Sequence, residues 1–575
     1  MPAADFHLLE NEEDLARRLD DYVKAEVLAL DIETTGLDPL TDQIRLVQIA
    51  AQGLPVLIVD LFKCRHGLSA LTPLWGNKSV KVIHNAKFEL KFLLRNGVEL
   101  KGRLFDTMLA DKLLQAGIRG HSSKLEHLAE FYLKRSLDKN EQNSDWSGDL
   151  TADQLAYAAG DAEILLPLRE KLIHRLQGEM LIEVAKLEFD CVPAVAQMEL
   201  AGFKVDQNQW RSYQRQIDHQ VKVYQAKVRD RFPDWVNNHG QELNLNSTQQ
   251  LQVALASQGI KVNSSKREVL EHHSQHPMVA DLLDYKKWRS QQSKYGNKIL
   301  QFIHPRTGRI HADYHQLGTE TGRFSCSSPP LQQMPQQSEV RQCFVPAEDN
   351  CLVIADYSQI ELRVAAQLSQ DQQMIQAYQQ GQDLHQLTAS LLTGTPLEQV
   401  TSDQRQQAKA INFGLLFAMG SKALRDSARN NYQVEISLVQ AEEFKAKFFD
   451  SYAGFASYFK RIKVQKLKQL KTLSGRVRHY NKGFAPLTQA LNTPIQGTAA
   501  DIIKRALVDL PAQLVPTGAQ IVAVIHDEII LDVEAEQAET AKQILQQVMV
   551  TAGEHYLTQV PVVVEATIAD SWAGK

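Results

Sequence analysis

The chain has 575 residues, 43% hydrophobic and 23% charged, with 29 Gly and 19 Pro, which supplies several cores at roughly 150 residues per domain and excludes a low-complexity or mainly disordered protein. Its 63 Lys+Arg against 68 Asp+Glu leave a net charge of −5, not the basic balance of a typical nucleic-acid binder, although a sum can hide a local basic face. The five cysteines (Cys64, Cys191, Cys326, Cys343, Cys351) contain no CxxC pair, and no apolar run reaches the roughly 18 residues of a membrane span, so a disulfide framework, a zinc knuckle and a membrane protein are not expected.

The start, MPAADFHLLENEEDLARRL, is acidic and helix-like, unlike a targeting peptide; a cytoplasmic protein is expected. Strand patterns follow at Val27–Leu30, Leu46–Ile49, Leu57–Val59 and Val80–Ile83, with helical stretches at Lys87–Leu94, Thr107–Leu114 and from Thr151. This is an α/β unit with a mixed sheet. Residues 181 to about 310 read as helical and polar, strands begin again near His311, and a helical block spans about 370–480. Strands return at Ile521–Val533 and Val560–Ala566. One sheet split around helices suggests a catalytic platform with an inserted mobile subdomain.

Asp31 and Glu33 close the first strand of LALDIETTGLD, and their period-2 spacing puts both carboxylates on one face. Tyr157 and Asp161 are four apart, on one helical face. Converging acids repel unless a divalent cation neutralises them, and hard oxygen ligands favour Mg²⁺ or Mn²⁺. Asp106 reads as a helix N-cap. Further on, a buried strand ends in Asp356, and two apolar runs flank His526-Asp527-Glu528, which reads as a β-hairpin displaying acids. Between them Thr401-x-x-Gln404 offers a capping box and Gly420 a stop. Arg405, Lys409, Phe413 and Phe417 recur every four residues, a stripe of two cations and two rings that suits a triphosphate, a sugar and a base. Residues 460–482 carry nine Lys/Arg and no acid, a plausible phosphate track; Tyr285–Arg289 with Lys294 and Lys298 form a second basic stretch.

DIETTG (31–36), HNAKFELKFL (84–93) and YAAGD (157–161) resemble the three motifs of the DEDD exonuclease superfamily in its tyrosine-bearing branch. DYSQIELR (356–363), RQQAKAINFGLLFAMG (405–420), NTPIQGTAADIIKRAL (492–507) and VIHDEI (524–529) closely resemble the bacterial DNA polymerase I family, family A, as do MELAGFKVD (198–206) and GTETGRFSCSSPPLQQMP (318–335). The resemblance covers almost the whole chain in the order of a Klenow-type fragment, and a 5′-nuclease region is not expected within 575 residues.

The resemblance implies an RNase H-like α/β exonuclease domain at 1–180 and an α+β right-hand polymerase domain at 181–575. The thumb would be about 205–305, the palm about 306–368 and 486–575, and the fingers about 369–485. It implies template-directed addition of dNTPs to a primer 3′ end, with primer–template DNA and dNTPs as partners, a monomer, and two divalent ions at each active site. Asp31, Glu33, Glu89 and Asp161 would hold the exonuclease metals and Tyr157 would orient water, with Asn85 and Phe88 beside the substrate. Asp356 and Asp527 would hold the polymerase metals, Glu528 close by. Arg405 and Lys409 would clamp the triphosphate, with Phe413 on the sugar, Phe417 and Gln359 also toward the dNTP, His385 on phosphate and Glu361 as the gate against a ribose 2′-OH. Arg323, Gln332, Asn492, Gln496 and His526 would contact DNA.

Several residues depart from the family pattern. Glu89 stands where Asp is usual, and the added methylene shifts its carboxylate by roughly 1.5 Å, enough to weaken proofreading; an inactive, structural exonuclease domain is the alternative. Phe417 stands in place of Tyr and lacks the hydroxyl contact to the gate, which would loosen the sugar check. Ala418 stands in place of Gly, and Thr488 and Pro330 in place of Arg and Asn near the minor groove, a weaker grip on duplex. The gate sequence SQIE and Phe413 argue against a single-subunit RNA polymerase or reverse transcriptase, and Asp356, Asp527, Arg405 and Lys409 together argue against a replication factor with decayed sites.

Overall fold

The computed structural model describes residues 5–137, 140–142, 144–235, 240–296, 298–335 and 339–574. Contacts divide the chain into two compact units. The larger comprises Met1–Gly202, Ala312–Gln332 and Val353–Ile568, and the smaller Phe203–His311, Gln333–Leu352 and Ala569–Lys575. No helix among the described residues is long and apolar enough to cross a membrane.

In the larger unit the first sheet has six strands, ordered Phe6–Leu9, Val56–Asp60, Ile44–Ala50, Val27–Thr34, Val80–Ile83, Leu104–Asp106. Val27–Thr34 runs antiparallel to Ile44–Ala50 and parallel to Val80–Ile83, so the sheet is mixed as expected. Ile44–Ala50 and Val56–Asp60 are buried along their whole length, which is why they read as apolar runs rather than alternations. Helix Ala152–Gly178 packs on these strands and begins in a capping box between Thr151 and Gln154. Asp106 caps helix Thr107–Leu114 by accepting from the Met108 and Leu109 N–H groups, the role read from sequence.

The second sheet runs Gln520–Ile525, Glu528–Glu534, Asn350–Tyr357, Val564–Ala569. A strand from before the helical block thus lies between strands from after it. The block itself runs from Gln372–Gln379 to Ala453–Val464, but it ends in a two-stranded hairpin, Gln469–Lys471 with Val477–His479, where helix had been expected. The stop at Gly420 also needs correction. Helix Ser402–Leu416 has the Thr401/Gln404 capping box yet ends at Phe417, with Ala418 in the left-handed region at φ 59°, and Gly420 is the N-cap of the next helix, Ser421–Tyr432. The four-residue stripe therefore ends at Phe413, and Phe417 sits at the helix end.

A buried charge cluster ties distant segments of this unit together. Glu188 on helix Ile182–Ala201 accepts from Arg476 and Lys504, each at 2.5 Å, and Asp501 accepts from Arg476 at 2.5 and 2.9 Å. Lys504 and Asp501 lie on the long helix Leu487–Leu514, and all four side chains are buried. Lys504 also donates to the carbonyls of Gln316 and Gly322. Gly322 has φ +87°, and a Cβ there would lie 2.7 Å from Arg476 Nε, so the turn needs glycine.

The smaller unit is built on helix Gln207–Asp230 packed along Pro277–Tyr295. Its core is aromatic: Phe203, Phe344, Trp210 and Trp572 form ring contacts at 5.0–6.3 Å. Arg341 lies over the Trp572 ring at 4.1 Å. Of the second basic stretch, Tyr285 is buried, whereas Lys287, Arg289 and Lys298 are exposed.

Removing one partner from a buried charge cluster leaves the others uncompensated, which typically costs about 3–5 kcal/mol. Glu188→Ala is expected to lower stability by that order in urea denaturation. A loss under about 1 kcal/mol, the scale of a surface pair, would show that the cluster is not holding the unit.

Candidate active sites

The first candidate site stands on the six-stranded sheet. Asp31 and Glu33 are half-buried on one face of Val27–Thr34, and helix Ala152–Gly178 brings Tyr157 and Asp161 to them. The Tyr157 hydroxyl hydrogen-bonds the Asp161 carboxylate, and burial, with the charges of Asp161, Glu33 and Asp31, holds the phenol well above its ordinary pKa. Glu89 enters from the first turn of helix Lys87–Arg95 and is buried. Its carboxyl is pushed well above the usual range by burial first, then by Asp31, Asp106 and Glu33. Asn85 takes a left-handed φ of 61°; Asp106 accepts from the N–H groups of Asn85 and Ala86 and fixes that turn.

A cleft of about 640 Å³ opens on these groups, lined by Asp31, Asn85, Phe88, Tyr157 and Asp161 and by the cations Lys87, Lys91, Lys112 and Lys124. Asp313 and His315, from the segment expected to begin the palm, line it too. Lys87 and Lys91 are engaged by Glu199, and Lys87 also by Asp313.

The second candidate site stands at the strand ends of the four-stranded sheet. Asp356 is the penultimate residue of Asn350–Tyr357, and Asp527 lies in the two-residue turn between Gln520–Ile525 and Glu528–Glu534, whose register pairs Ile525 with Glu528. The Tyr357 N–H donates to the Asp527 carbonyl at 3.4 Å, so the two acids meet across neighbouring strands. Glu528 is buried in its strand. His526 is exposed, with φ 57°.

Glu361, in the first turn of helix Ile360–Ser369, is ion-paired with Arg323, and the Arg323 cation feels the Asp527 charge. Glu361, Arg323 and Asp527 are thus one neighbourhood, and the carboxylate of Glu361 has a cationic partner without any hydroxyl at Phe417. Arg405 pairs with Asp383 at 2.6 Å, and Lys409 lies one turn on. His385 is buried and its Nδ1 accepts from the Asn412 side-chain amide at 2.9 Å; burial pushes its pKa down to about 4, against the pull of Asp383. Its ring lies 5.7 Å from Phe413. It is a neutral core histidine, so a phosphate contact would have to come from an N–H, not a cation.

Two other expected contacts are committed within the protein. Gln332 donates to the Val524 carbonyl and accepts from the His526 N–H, clamping the acid-bearing hairpin. Gln359 accepts from the Tyr378 hydroxyl at 3.1 Å. Asn492 and Gln496, half-buried on Leu487–Leu514, lie one turn apart, and Asn492 Oδ1 has no protein partner.

Residues 210–574 match DNA polymerase family A, and residues 6–177 match a 3′-5′ exonuclease family. DNA polymerase I of Aquifex aeolicus is 34% identical, covering 99% of each chain. The chain belongs to DNA polymerase family A. DNA polymerase I of Pseudomonas aeruginosa is 32% identical over 96% of this chain, which spans 64% of that longer protein. The POL domain of Pol1 from M. smegmatis, in complex with DNA primer-template and dNTP, superposes with a TM-score of 0.84 at 25% identity, covering 99% of both chains. The chain is a DNA-directed DNA polymerase with a 3′→5′ exonuclease domain.

The polymerase gathers no group of three or more His, Cys, Asp or Glu side chains arranged to hold a metal among the described residues. The donor chemistry nevertheless fits a divalent cation. All the donors are hard carboxylates, Glu89 Oε2 is buried without a protein partner, and burial, then repulsion from neighbouring acids, raises the Glu89 pKa. One neighbour was not foreseen. Gln48 lies directly across from Asp31, is 0% exposed, and neither of its amide atoms has a protein partner. A glutamine inside the apolar run Leu46–Ile49 was the available signal.

Burial places the folded pKa of Glu89 above its unfolded value, so this group adds most to stability below the unfolded pKa, and that contribution is lost as pH rises through the folded one. Glu89→Gln is therefore expected to raise the melting temperature in EDTA at pH 8 by a few degrees, with the gap closing toward pH 4. A wild type at least as stable at pH 8 would mean the carboxylate pays no burial penalty there.

Proposed function

We propose that this polymerase extends a primer on a DNA template at the Asp356/Asp527 site and trims mismatched 3′ ends at the Asp31/Glu33/Glu89/Asp161 site. The single observation that carries the reading is the meeting of Asp356 and Asp527 at neighbouring strand ends, with the Arg323–Glu361 pair beside them. In the polymerase site Asp356 and Asp527 would hold the ions, with Glu528 beside them. Divalent ions, Mg²⁺ or Mn²⁺, would activate the attacking oxygen and draw charge from the leaving phosphate.

The remaining chemistry falls to side chains. Arg405 and Lys409 offer two cations one turn apart for a triphosphate, and Arg405 must exchange its Asp383 partner for phosphate to do so. Phe413 presents a ring to the sugar. Glu361 bars a 2′-OH by occupying its place, and Arg323 holds that carboxylate while reaching toward the primer terminus. His526, Asn492 and Gln496 contact the nascent pair. Closure of the helix Ser402–Leu416 region on a matched pair would exclude water and align the reacting groups. In the exonuclease site Tyr157, held by Asp161, orients the attacking water, and Asn85 and Phe88 seat the 3′ nucleotide.

A 5′-labelled primer with a mismatched 3′ end, incubated in Mg²⁺ without dNTPs, is expected to shorten, and Asp31→Ala to abolish shortening while matched-primer extension persists. Asp356→Ala is expected to do the reverse. A preparation that extends matched primer but never shortens the mismatch favours an exonuclease fold kept for structure, with the longer Glu89 arm as the cause.

A further inference from the structure

The nine cations of residues 460–482 have two fates. Arg476 is buried on Glu188 and Asp501, and Arg478 is held by Glu320 and Thr493. The other seven are exposed, and none of them pairs with a carboxylate among the described residues. Two residues past the run, Phe484 leaves its ring 47% exposed. The Tyr480 N–H donates to the Lys468 carbonyl and the Ala485 N–H to the Leu467 carbonyl, each at 2.8 Å. This fold-back sets Phe484 beside Lys466, whose Nζ stands 5.7 Å from the ring centroid.

The scaffold beneath is fixed on two sides. The Tyr480 hydroxyl bonds Gln489 at 2.8 Å, on the helix that carries Asn492 and Gln496. On the other side the His479 N–H donates to the Ala116 carbonyl of the exonuclease domain. There Gly117, φ +87°, approaches so closely that a Cβ would lie 2.4 Å from the His479 carbonyl oxygen. The hairpin therefore spans from the polymerase motif helix to the exonuclease domain as a rigid strip. Its surface combines unneutralised cations with an open aromatic face. A polyanion relieves the charge repulsion, but duplex DNA hides its base faces by pairing and stacking; only an unpaired strand offers phosphates and an open base together.

We propose that this strip binds the single-stranded template ahead of the primer terminus, with Phe484 stacking on an unpaired base and Lys466, Lys468 and Lys482 holding the adjacent phosphates. The assignment rests on the polymerase reading above, and it concerns a surface outside both catalytic sites.

The test measures equilibrium binding of the full chain, by fluorescence anisotropy, to two primer–templates that differ only in a long or a two-nucleotide 5′ template overhang. Wild type is expected to bind the long overhang more tightly. Phe484→Ala should remove on the order of tenfold of that gain and leave the short-overhang affinity unchanged. Joint substitution of Lys466, Lys468 and Lys482 by Ala should lower the salt slope on the long overhang by about 2. Equal wild-type affinity for both overhangs, or equal weakening of both by Phe484→Ala, overturns the proposal. So does an affinity gain that follows unpaired primer 3′ nucleotides instead of template overhang. Extension of a matched primer by the same preparation is read in parallel. Its absence counts against the polymerase reading, whereas extension without an overhang effect counts against the strip alone.

Discussion

The structure of the larger unit depends on four buried charges that cancel. Glu188 and Asp501 face Arg476 and Lys504, and none of the four could remain charged in that environment without the others, since an isolated buried ion is far too costly. They come from three separate parts of the chain: Glu188 from the helix after the exonuclease sheet, Arg476 from the hairpin that closes the helical block, and Asp501 and Lys504 from the helix that carries Asn492 and Gln496. Apolar packing would tolerate small slippage between such elements, but directional charge-assisted bonds do not. The cluster thereby fixes the relative register of segments as far as 316 residues apart. Through the carbonyls of Gln316 and Gly322, Lys504 also fixes the loop that presents Arg323 to Glu361.

The same requirement, that a buried acid find a partner, is left unmet at Glu89, whose Oε2 is buried with no protein partner. Burial, and then the charges of Asp31, Asp106 and Glu33, shift the protonation equilibrium of Glu89 toward the neutral acid. The protein keeps repulsion there that it removes at Glu188. Such an arrangement is costly for the folded chain alone and favourable once a cation enters, which is how a metal site differs chemically from a structural ion pair. Two of the cleft's four lysines are restrained: Lys87 and Lys91 are tied to Glu199, so their charge is drawn to that carboxylate.

What the sequence made legible follows from how local each signal is. The mixed sheet, the acid-bearing hairpin, the Thr401/Gln404 capping box and the Asp106 cap depend on residues within a few positions, and each is found where its pattern lies. Gly420 was misread because a glycine serves a helix start as well as a stop, and Phe417 with left-handed Ala418 ends the helix three residues earlier. The family motifs named the acids, but not that Gln332 clamps the hairpin backbone, nor that His385 is neutral and bonded to Asn412. Those facts are tertiary: burial and partner decide them, and neither has a short-range signature.

The run at 460–482 shows the limit most sharply. Read as a string, its nine cations are equivalent, since no acid within the run distinguishes one from another. In the fold, Arg476 finds Glu188 across 288 residues, becomes buried, and stops being available to phosphate. Arg478 on the same hairpin is likewise held, by Glu320 and Thr493, whereas the lysines of the run remain exposed. Arginine suits the first role because its planar fork satisfies two carboxylates at once, whereas lysine, with a compact hydrated ammonium on a flexible stem, suits the second. Among the nine, the two Arg of the hairpin are engaged within the protein, while all six Lys remain exposed. Charge counts along a sequence therefore overstate a binding surface by the members the fold requires for itself, and the type of cation is the first clue to which those are.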